Sequence, residues 1–259
     1  MNYQYQVTTF RAKQLQKLRN VTMHSPTLIQ VLSGSKRLYW KEDAVALTHQ
    51  RFLLCPASSS LSFENMPEKG PFLSRVFSFY HLPTESMMQL SNERQGSSDS
   101  PLLKYDKALL ASLDALASFN LSTMSSETQI LWLMPLYQQL AEKGALQLLF
   151  PSQEASLSHK LSRYLALSPG ENHPLEEVAD KFAMSRATLI RKLKQEGLQY
   201  RELLAEVRLN HALHLMQSTP WSTLNLAQMC GYQSKERFSQ RFKNKFGITP
   251  KEYMKTVTG

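Results

Sequence analysis

Over the first 80 residues the apolar positions come in short bursts rich in Val, Leu, Phe and Tyr, separated by turn residues, as in SPTLIQVLSGSKRLYW, HQRFLLCPASSSLSFEN and PFLSRVFSFY. Bursts of this kind bounded by Gly, Pro and Ser predict strands, and so a β-rich domain. Ser33 to Lys36 reads as a hairpin loop with strands on either side, since Gly34 can take the positive φ that a tight connection needs. Ser91 to Pro101 (SNERQGSSDSP) is polar and rich in breakers, which predicts a loop or hinge. After it the period changes. Leu109, Leu110, Leu113, Leu116 and Ala117 recur at helical spacing, and Glu127 to Leu149 carries a second helical pattern expected to bend at Pro135 or Gly144. Pro151 to Ser156 reads as a domain linker.

From Leu157 onward no strand pattern survives, and two stretches share one plan. In HPLEEVADKFAMSRATLIRKLKQEG, Pro174 suits a first helical position, and Leu175, Val178, Ala179 and Phe182 form one apolar face. Ala183 to Ser185 make a short turn. Ser185 can cap a second helix whose Leu189 and Leu193 point inward, and Gly197 can end it with a left-handed residue. About 50 residues later, STLNLAQMCGYQSKERFSQRFKNKFG repeats the plan around Leu226, Ala227, Cys230, Tyr232, Phe238, Phe242 and Phe246. The small Ala179 and Ala227 let the two helices of each unit cross closely, as a helix-turn-helix requires. Between the units, Tyr200 to Gln217 predicts one long helix, with Leu203, Leu204, Val207, Ala212, Leu215 and Met216 apolar, that acts as a rigid spacer. A helix of about 18 residues is roughly 27 Å long, enough to place two recognition helices in successive major grooves.

Charge separates the two halves. Thirty Lys and Arg against 21 Asp and Glu give a net +9, which points to a polyanionic partner. Residues 1–155 hold 14 basic and 12 acidic side chains, whereas residues 156–259 hold 16 and nine, so the surplus lies with the paired units. Two cysteines, Cys55 and Cys230, stand far apart without a CxxC partner, which argues against a disulfide framework or a thiolate metal site and fits a reducing cytoplasm. The start, MNYQYQVTTFRAKQ, lacks the apolar run of a signal peptide, and the longest strongly apolar stretch, Ile130 to Tyr137, is eight residues, too short for a membrane span.

The segment Leu226 to Tyr253, LAQMCGYQSKERFSQRFKNKFGITPKEY, resembles the signature of the AraC/XylS family of bacterial transcription regulators, approximately I-A-x-x-x-G-F-x-S, then F-x-x-x-F-K, then G-x-T-P-x-x-Y. RLNHALHLM, from Arg208 to Met216, matches the family's R-L-x-x-A segment, so the resemblance covers about 100 residues. Leu226 and Tyr232 replace the usual Ile and Phe, Thr223 sits where an apolar residue is common, and Trp221 is unusual. TLIQVLSGSKRLYW and FLLCPASSSLSFEN are similar to the cupin-like sensor or dimerisation domain found in front of many such regulators. The resemblance implies an α+β chain of two domains. A cupin-like β-barrel with following helices precedes an all-α domain with two helix-turn-helix units joined by a long helix. It also implies promoter DNA as partner and activation by contact with RNA polymerase, with repression as the alternative, since the residues themselves point only to DNA binding. Metal-dependent cupins need clustered His and Glu ligands, whereas His24, His49 and His81 stand singly as surface or turn residues, so no metal or other cofactor is expected.

Helix geometry nominates the DNA readers. At about 100° per residue, Leu189, Lys192, Leu193 and Glu196 share one side of their helix, and Ala187, Ile190, Arg191 and Lys194 the other, with Arg186 at its start. An exposed Ile190 beside Ala187, Arg191 and Lys194 suits a major groove, where apolar groups touch thymine methyls and Arg bonds guanine. The alternative is a solvated face with a stray Ile. In the second unit the three phenylalanines mark the buried side and leave Glu236, Arg237, Gln240, Lys243 and Asn244 facing a groove, with Lys235, Arg241 and Lys245 flanking them near phosphates. Glu236 serves equally well as part of the helix cap. Arg208 reads as a salt-bridge or packing residue rather than a base reader, because Val207 and Leu209 draw its helix inward.

The expected organisation is a β-rich regulatory domain over residues 1–101, a helical dimerisation or linker segment over 102–152, and a DNA-binding domain over 153–259. The helices of 102–149 either pair two chains as a homodimer or cover the sheet. The β domain holds a small effector, senses a protein, or only dimerises. A cupin-fold enzyme lacks a metal triad or a nucleophile with its base, and an architectural DNA binder would show little sequence preference.

Overall fold

The computed structural model describes residues 3–40, 43–94, 100–151, 156–218 and 221–258. Positions 95–99 of the polar stretch and 152–155 of the linker, with the expected domain boundary at 153, lie outside the described residues.

Nine strands form two antiparallel sheets among the described residues. The first contains β1 (Tyr5–Ala12), β8 (Phe72–Phe79), β3 (Thr27–Ser33), β6 (Arg51–Cys55) and β9 (Leu102–Lys104), in that order. The second contains β2 (Gln16–Thr22), β7 (Ser60–Met66), β4 (Ser35–Trp40) and β5 (Asp43–Leu47). The run TLIQV of β3 is buried at every position because both faces of its sheet are covered. Ile29 and Val31 face the second sheet, whereas Leu28 joins Phe52, Leu54 and Phe77 against helices. Those helices are α1 (Glu85–Glu93), α2 (Lys107–Ser118), α3 (Ser126–Glu142) and α4 (Leu146–Leu149), and Leu109, Leu113, Leu133, Leu136 and Leu140 are their packed residues.

Three expectations about this half are corrected. Ser33 to Lys36 is not a hairpin: β3 and β4 lie in different sheets, and Gly34, with φ 72°, is the corner between them, where a β-carbon would overlap the carbonyl oxygen of Met66. Ser91 to Glu93 belong to α1 rather than to a loop, since the buried hydroxyl of Ser91 accepts a bond from the backbone N–H of Leu146. The segment after Pro101 opens with β9, which pairs with β6, before becoming helical. Of the two bends expected in the second helical pattern, the one at Gly144 is found: α3 passes through Pro135 and ends just before Gly144, whose φ is 61°. Pro135 is exposed, and the Leu131 carbonyl it leaves without a helical donor lies on the solvent side, where Leu131 is 71% exposed.

The remainder is helical: α5 (Leu157–Leu165), α6 (Leu175–Lys181), α7 (Arg186–Gln195), α8 (Tyr200–Ser218), α9 (Thr223–Met229), α10 (Lys235–Phe246) and α11 (Pro250–Thr258). Leu161, Leu165, Val178, Ala179, Leu189, Leu193, Leu203 and Val207 close a core among α5 to α8. Phe238, Phe242, Phe246, Leu226 and Tyr253 instead belong to a core continuous with Leu18, Leu38 and Phe63 of the β domain. A polar seam borders that shared core. Gln217 accepts from the backbone N–H of Arg11 at 2.8 Å, Gln16 donates to Thr256 Oγ1 at 2.7 Å, and Asn210 donates to the carbonyl of Thr22 at 2.6 Å. No described helix is long and apolar enough to cross a membrane.

Candidate nucleic-acid interface

The first unit is built on local chemistry. Ser185 accepts from the backbone N–H of Thr188 at 3.2 Å and starts α7. Ala183, at φ 51°, turns the chain from α6 into α7, and Gly197, at φ 74°, follows its last turn. Leu189 and Leu193 are buried, which rotates Arg186, Ala187, Ile190, Arg191 and Lys194 into solvent. Ile190 is 44% exposed, an apolar side chain standing between cations. Arg186 pairs with Glu176 of α6 at 2.9 Å, an exposed pair that contributes little stability. Lys192 is exposed although it shares a helical side with the two leucines. Glu196 receives the backbone N–H groups of Leu157 and Ser158, both at 2.9 Å, and so ties α7 to the start of α5.

In the second unit Ser234 caps α10 through the backbone N–H of Arg237 at 3.3 Å, and its hydroxyl donates to Glu236 at 3.0 Å. Glu236's own backbone N–H and the Ser234 hydroxyl hold its carboxyl below the usual carboxylate range. Helix-start chemistry therefore already engages Glu236. Phe238, Phe242 and Phe246 are fully buried, with the last two rings 4.7 Å apart. Lys235, Glu236, Arg237, Gln240, Arg241, Lys243 and Asn244 are exposed. Gln240 donates to Asn244 at 2.8 Å, and Arg241 reaches Glu202 at 3.4 Å.

Lys245 is the correction in this set. Its side chain is 15% exposed and its ammonium bonds Glu206 and Thr22 Oγ1 in the seam, rather than standing free on the flank of α10 where a phosphate would lie. Helix projection missed the residues that take hold of this helix end. At Arg19 and Asn20 the pairing of β2 with β7 slips, and Asn20 adopts φ 55°. The bulge aims both side chains at the C-terminus of α10, where Arg19 donates to the carbonyl of Asn244 at 3.3 Å and Asn20 to that of Lys245 at 3.4 Å. A cation there also complements the negative end of the helix dipole. The short RNVT run carries no sequence signal for this.

A cleft of about 510 Å³ opens beside Lys245, where β2, α5, α8 and α10 meet, with His24, Ser60, His159, Ser162 and Glu206 among its walls. His24 was expected at a surface or turn. It does lie between β2 and β3, but its Nε2 is buried without a hydrogen-bond partner. Burial, then the charge of Lys245, lowers its pKa to about 4, against the pull of the Glu206 backbone. His214 on α8 packs edge-on against Phe10 at 5.2 Å and is likewise lowered to about 4 by burial, with His211 and His24 adding to the effect. Both imidazoles are neutral at pH 7. Among the described residues, no three His, Cys, Asp or Glu side chains are grouped so as to hold a metal ion.

Residues 178–256 match the helix-turn-helix domain family. An uncharacterised HTH-type transcriptional regulator of Haemophilus influenzae is 34% identical over 122 residues, 47% of this chain and 40% of that one. GadX, an HTH-type transcriptional regulator of Escherichia coli K12, is 38% identical over 79 residues, covering 30% and 29% of the two chains. The urease operon transcriptional activator of Escherichia coli is 27% identical over 121 residues, 47% of this chain and 40% of that one. The chain thus spans less than half the length of these relatives. Across both domains the fold is that of ToxT from Vibrio cholerae, with a TM-score of 0.63 at 17% identity, over 99% of this chain and 100% of that one.

Proposed function

We propose that this chain, whose residues 178–256 form a helix-turn-helix domain of the AraC/XylS type, is a transcription regulator that reads promoter DNA and is tuned through its β domain. The observation that carries the reading is the pair of capped helices, α7 and α10, each held by buried side chains so that a face of cations, amides and one exposed isoleucine meets solvent. Arg191 and Gln240 are the base readers, suited to guanine and adenine, and Lys194, Arg237 and Lys243 bring the positive charge that phosphates require. Two different helices on one chain read an asymmetric site.

The regulator works in the cytoplasm as an activator through RNA polymerase, without enzymatic activity. Leu131 and Trp132, 71% and 47% exposed on α3, supply the apolar patch by which two copies pair. An effector acts through the seam, because whatever shifts β2 moves Arg19, Asn20 and Thr22, and with them the end of α10.

The test is selection of binding sites by the full chain from a pool of random duplexes. The expected outcome is one asymmetric site in two parts, bound at least about 1000-fold more tightly than random duplex, with affinity falling steeply as salt rises. Equal affinity for selected and random duplexes would make the chain an architectural binder and end this reading.

A further inference from the structure

We propose that Arg208 is a positioning residue that locks the first helix-turn-helix unit against the second and so sets the spacing at which α7 and α10 meet DNA. The inference rests on the DNA-reading function above, since only a reader of two-part sites has a spacing to set.

Arg208 lies in the middle of α8 and reaches the loop between α5 and α6. Its Nε donates to the carbonyl of Pro169 at 3.0 Å and its Nη2 to that of Glu171 at 2.8 Å. The loop is also tied to itself, through His173 Nε2 and the carbonyl of Ser168 at 2.9 Å, and to the start of α8, through Tyr200 Oη and the carbonyl of His173 at 2.8 Å. Tyr200 and Arg208 stand about two helical turns apart, so the loop is fastened at two points and travels with the first unit. The second unit closes on the same guanidinium. Gly231, at φ 72° in the turn between α9 and α10, lies so near that a β-carbon there would stand 2.7–2.9 Å from Nη2, Cζ and Nε of Arg208. Gly170, in the loop, abuts the other unit directly, for a β-carbon on it would overlap the carbonyl oxygen of Met229. One arginine and two glycines thus form a knuckle between the units.

The planar fork of Arg suits two carbonyls at once, which the point charge of Lys does not. The seam holds the second unit, the first touches the β domain where Arg163 lies over Tyr80 at 5.5 Å, and the knuckle opposes a turn of the first unit about α8. DNA turns once in about 10 to 10.5 base pairs, so one added base pair rotates one half-site by roughly 35° relative to the other. Units locked at a fixed angle discriminate such a change, and loosely joined units do not.

The experiment compares the full chain with Arg208→Ala and with Gly170→Ala, which pushes the loop off Met229 while leaving Arg208 in place. The duplexes are the selected site, the same site with one base pair inserted or removed between its halves, and a duplex with one half alone. The wild-type chain is expected to lose about tenfold in affinity per altered base pair. Arg208→Ala should lose about tenfold on the selected site, vary less than about threefold among the three spacings, and bind the single half as the wild type does. A drop in proportion on every duplex, with the spacing profile intact, overturns the proposal, as does a wild-type chain indifferent to spacing. A second readout needs no DNA. Spin labels on cysteines at exposed positions, through Gln195→Cys and Lys251→Cys, should give a narrow distance distribution in the wild-type background and a broad one in both knuckle variants. Unchanged widths overturn the proposal, and if Arg208→Ala fails to fold, Gly170→Ala carries both readouts. Failure of the DNA reading itself looks different: the wild-type chain would then not prefer the selected duplex over random ones.

Discussion

The two helix-turn-helix units repeat one sequence plan and differ in what closes their cores. The first is completed by its own neighbours, α5 and α8, through Leu161, Leu165, Leu203 and Val207. The second is completed by the β domain, because its three phenylalanines belong to one buried cluster with Leu18, Leu38 and Phe63. Units alike in sequence are therefore unlike in mechanics. The β domain bonds the end of α10 directly, through Thr22, Arg19 and Asn20, whereas it meets the first unit at α5, where the Arg163 guanidinium lies over the Tyr80 ring at 5.5 Å.

The largest effect should come from cutting one core and comparing it with the other. Phe242→Ala, at the centre of the shared core, should cost about 3–5 kcal/mol, and Leu193→Ala in the first unit about 2–5 kcal/mol. Hydrogen exchange separates them, since the first substitution should deprotect β2 and β7 along with α10, and the second should deprotect α5 to α7 alone. Deprotection of the same segments by both would erase the distinction between the units.

Acid should loosen the seam before it loosens the first unit. His24 and His214 are bases whose folded pKa, about 4, lies below the ordinary 6.5, so folding favours their neutral forms. Their contribution is complete above about pH 6.5 and is lost as the pH falls toward about 4, by up to about 3 kcal/mol per group. The charged and titratable neighbours are Lys245, Glu206 and His159 around His24, and His211 beside His214. Denaturant midpoints measured from pH 7 to 4.5 should fall for the wild-type chain and run flatter when both residues are replaced by Gln. Parallel profiles would remove the histidines from the seam's energetics.

On DNA, Arg191→Ala and Gln240→Ala should each lose about 1–3 kcal/mol on the selected duplex and far less on random duplex, each at its own half of the site. Equal losses on both duplexes would mean that these helices rest on the backbone. The smallest effect is the sharpest test of the seam. Lys243→Ala should reduce the salt slope of binding by about one ion, as a lost phosphate contact does, whereas Lys245→Ala should leave the slope unchanged and lower stability instead. A reduced slope for Lys245→Ala would return that residue to the DNA face.

Much of the interface could be read from the chain because it depends on neighbours in sequence. Ser185 caps its helix through the N–H group three residues away, Gly197 follows that helix at positive φ, and the leucines and phenylalanines three or four apart decide which side is buried. These choices also decided that Arg191 and Gln240 face outward. What escaped was whatever needed a distant partner. Strands β3 and β4 look like a hairpin around Gly34 because a tight turn and a corner between sheets both favour that residue, and the β6 and β7 partners that separate them come later in the chain.

Lys245 shows the limit most plainly. Its periodicity places it on the flank of α10, and nothing nearby in sequence reveals that Thr22, 223 residues away, and Glu206, on the spacer helix, close over it. The chain by itself determined the two units, their caps, their buried sides and the basic half that carries them, since each follows from short-range spacing and charge. The tertiary structure alone decided that the second unit shares its core with the β domain, that a bulge at Arg19 and Asn20 grips the end of α10, and that Arg208 joins the two units. The physical reason is that a helix specifies which of its own sides faces outward, whereas packing between distant segments decides whether that side meets water, DNA or another part of the same chain.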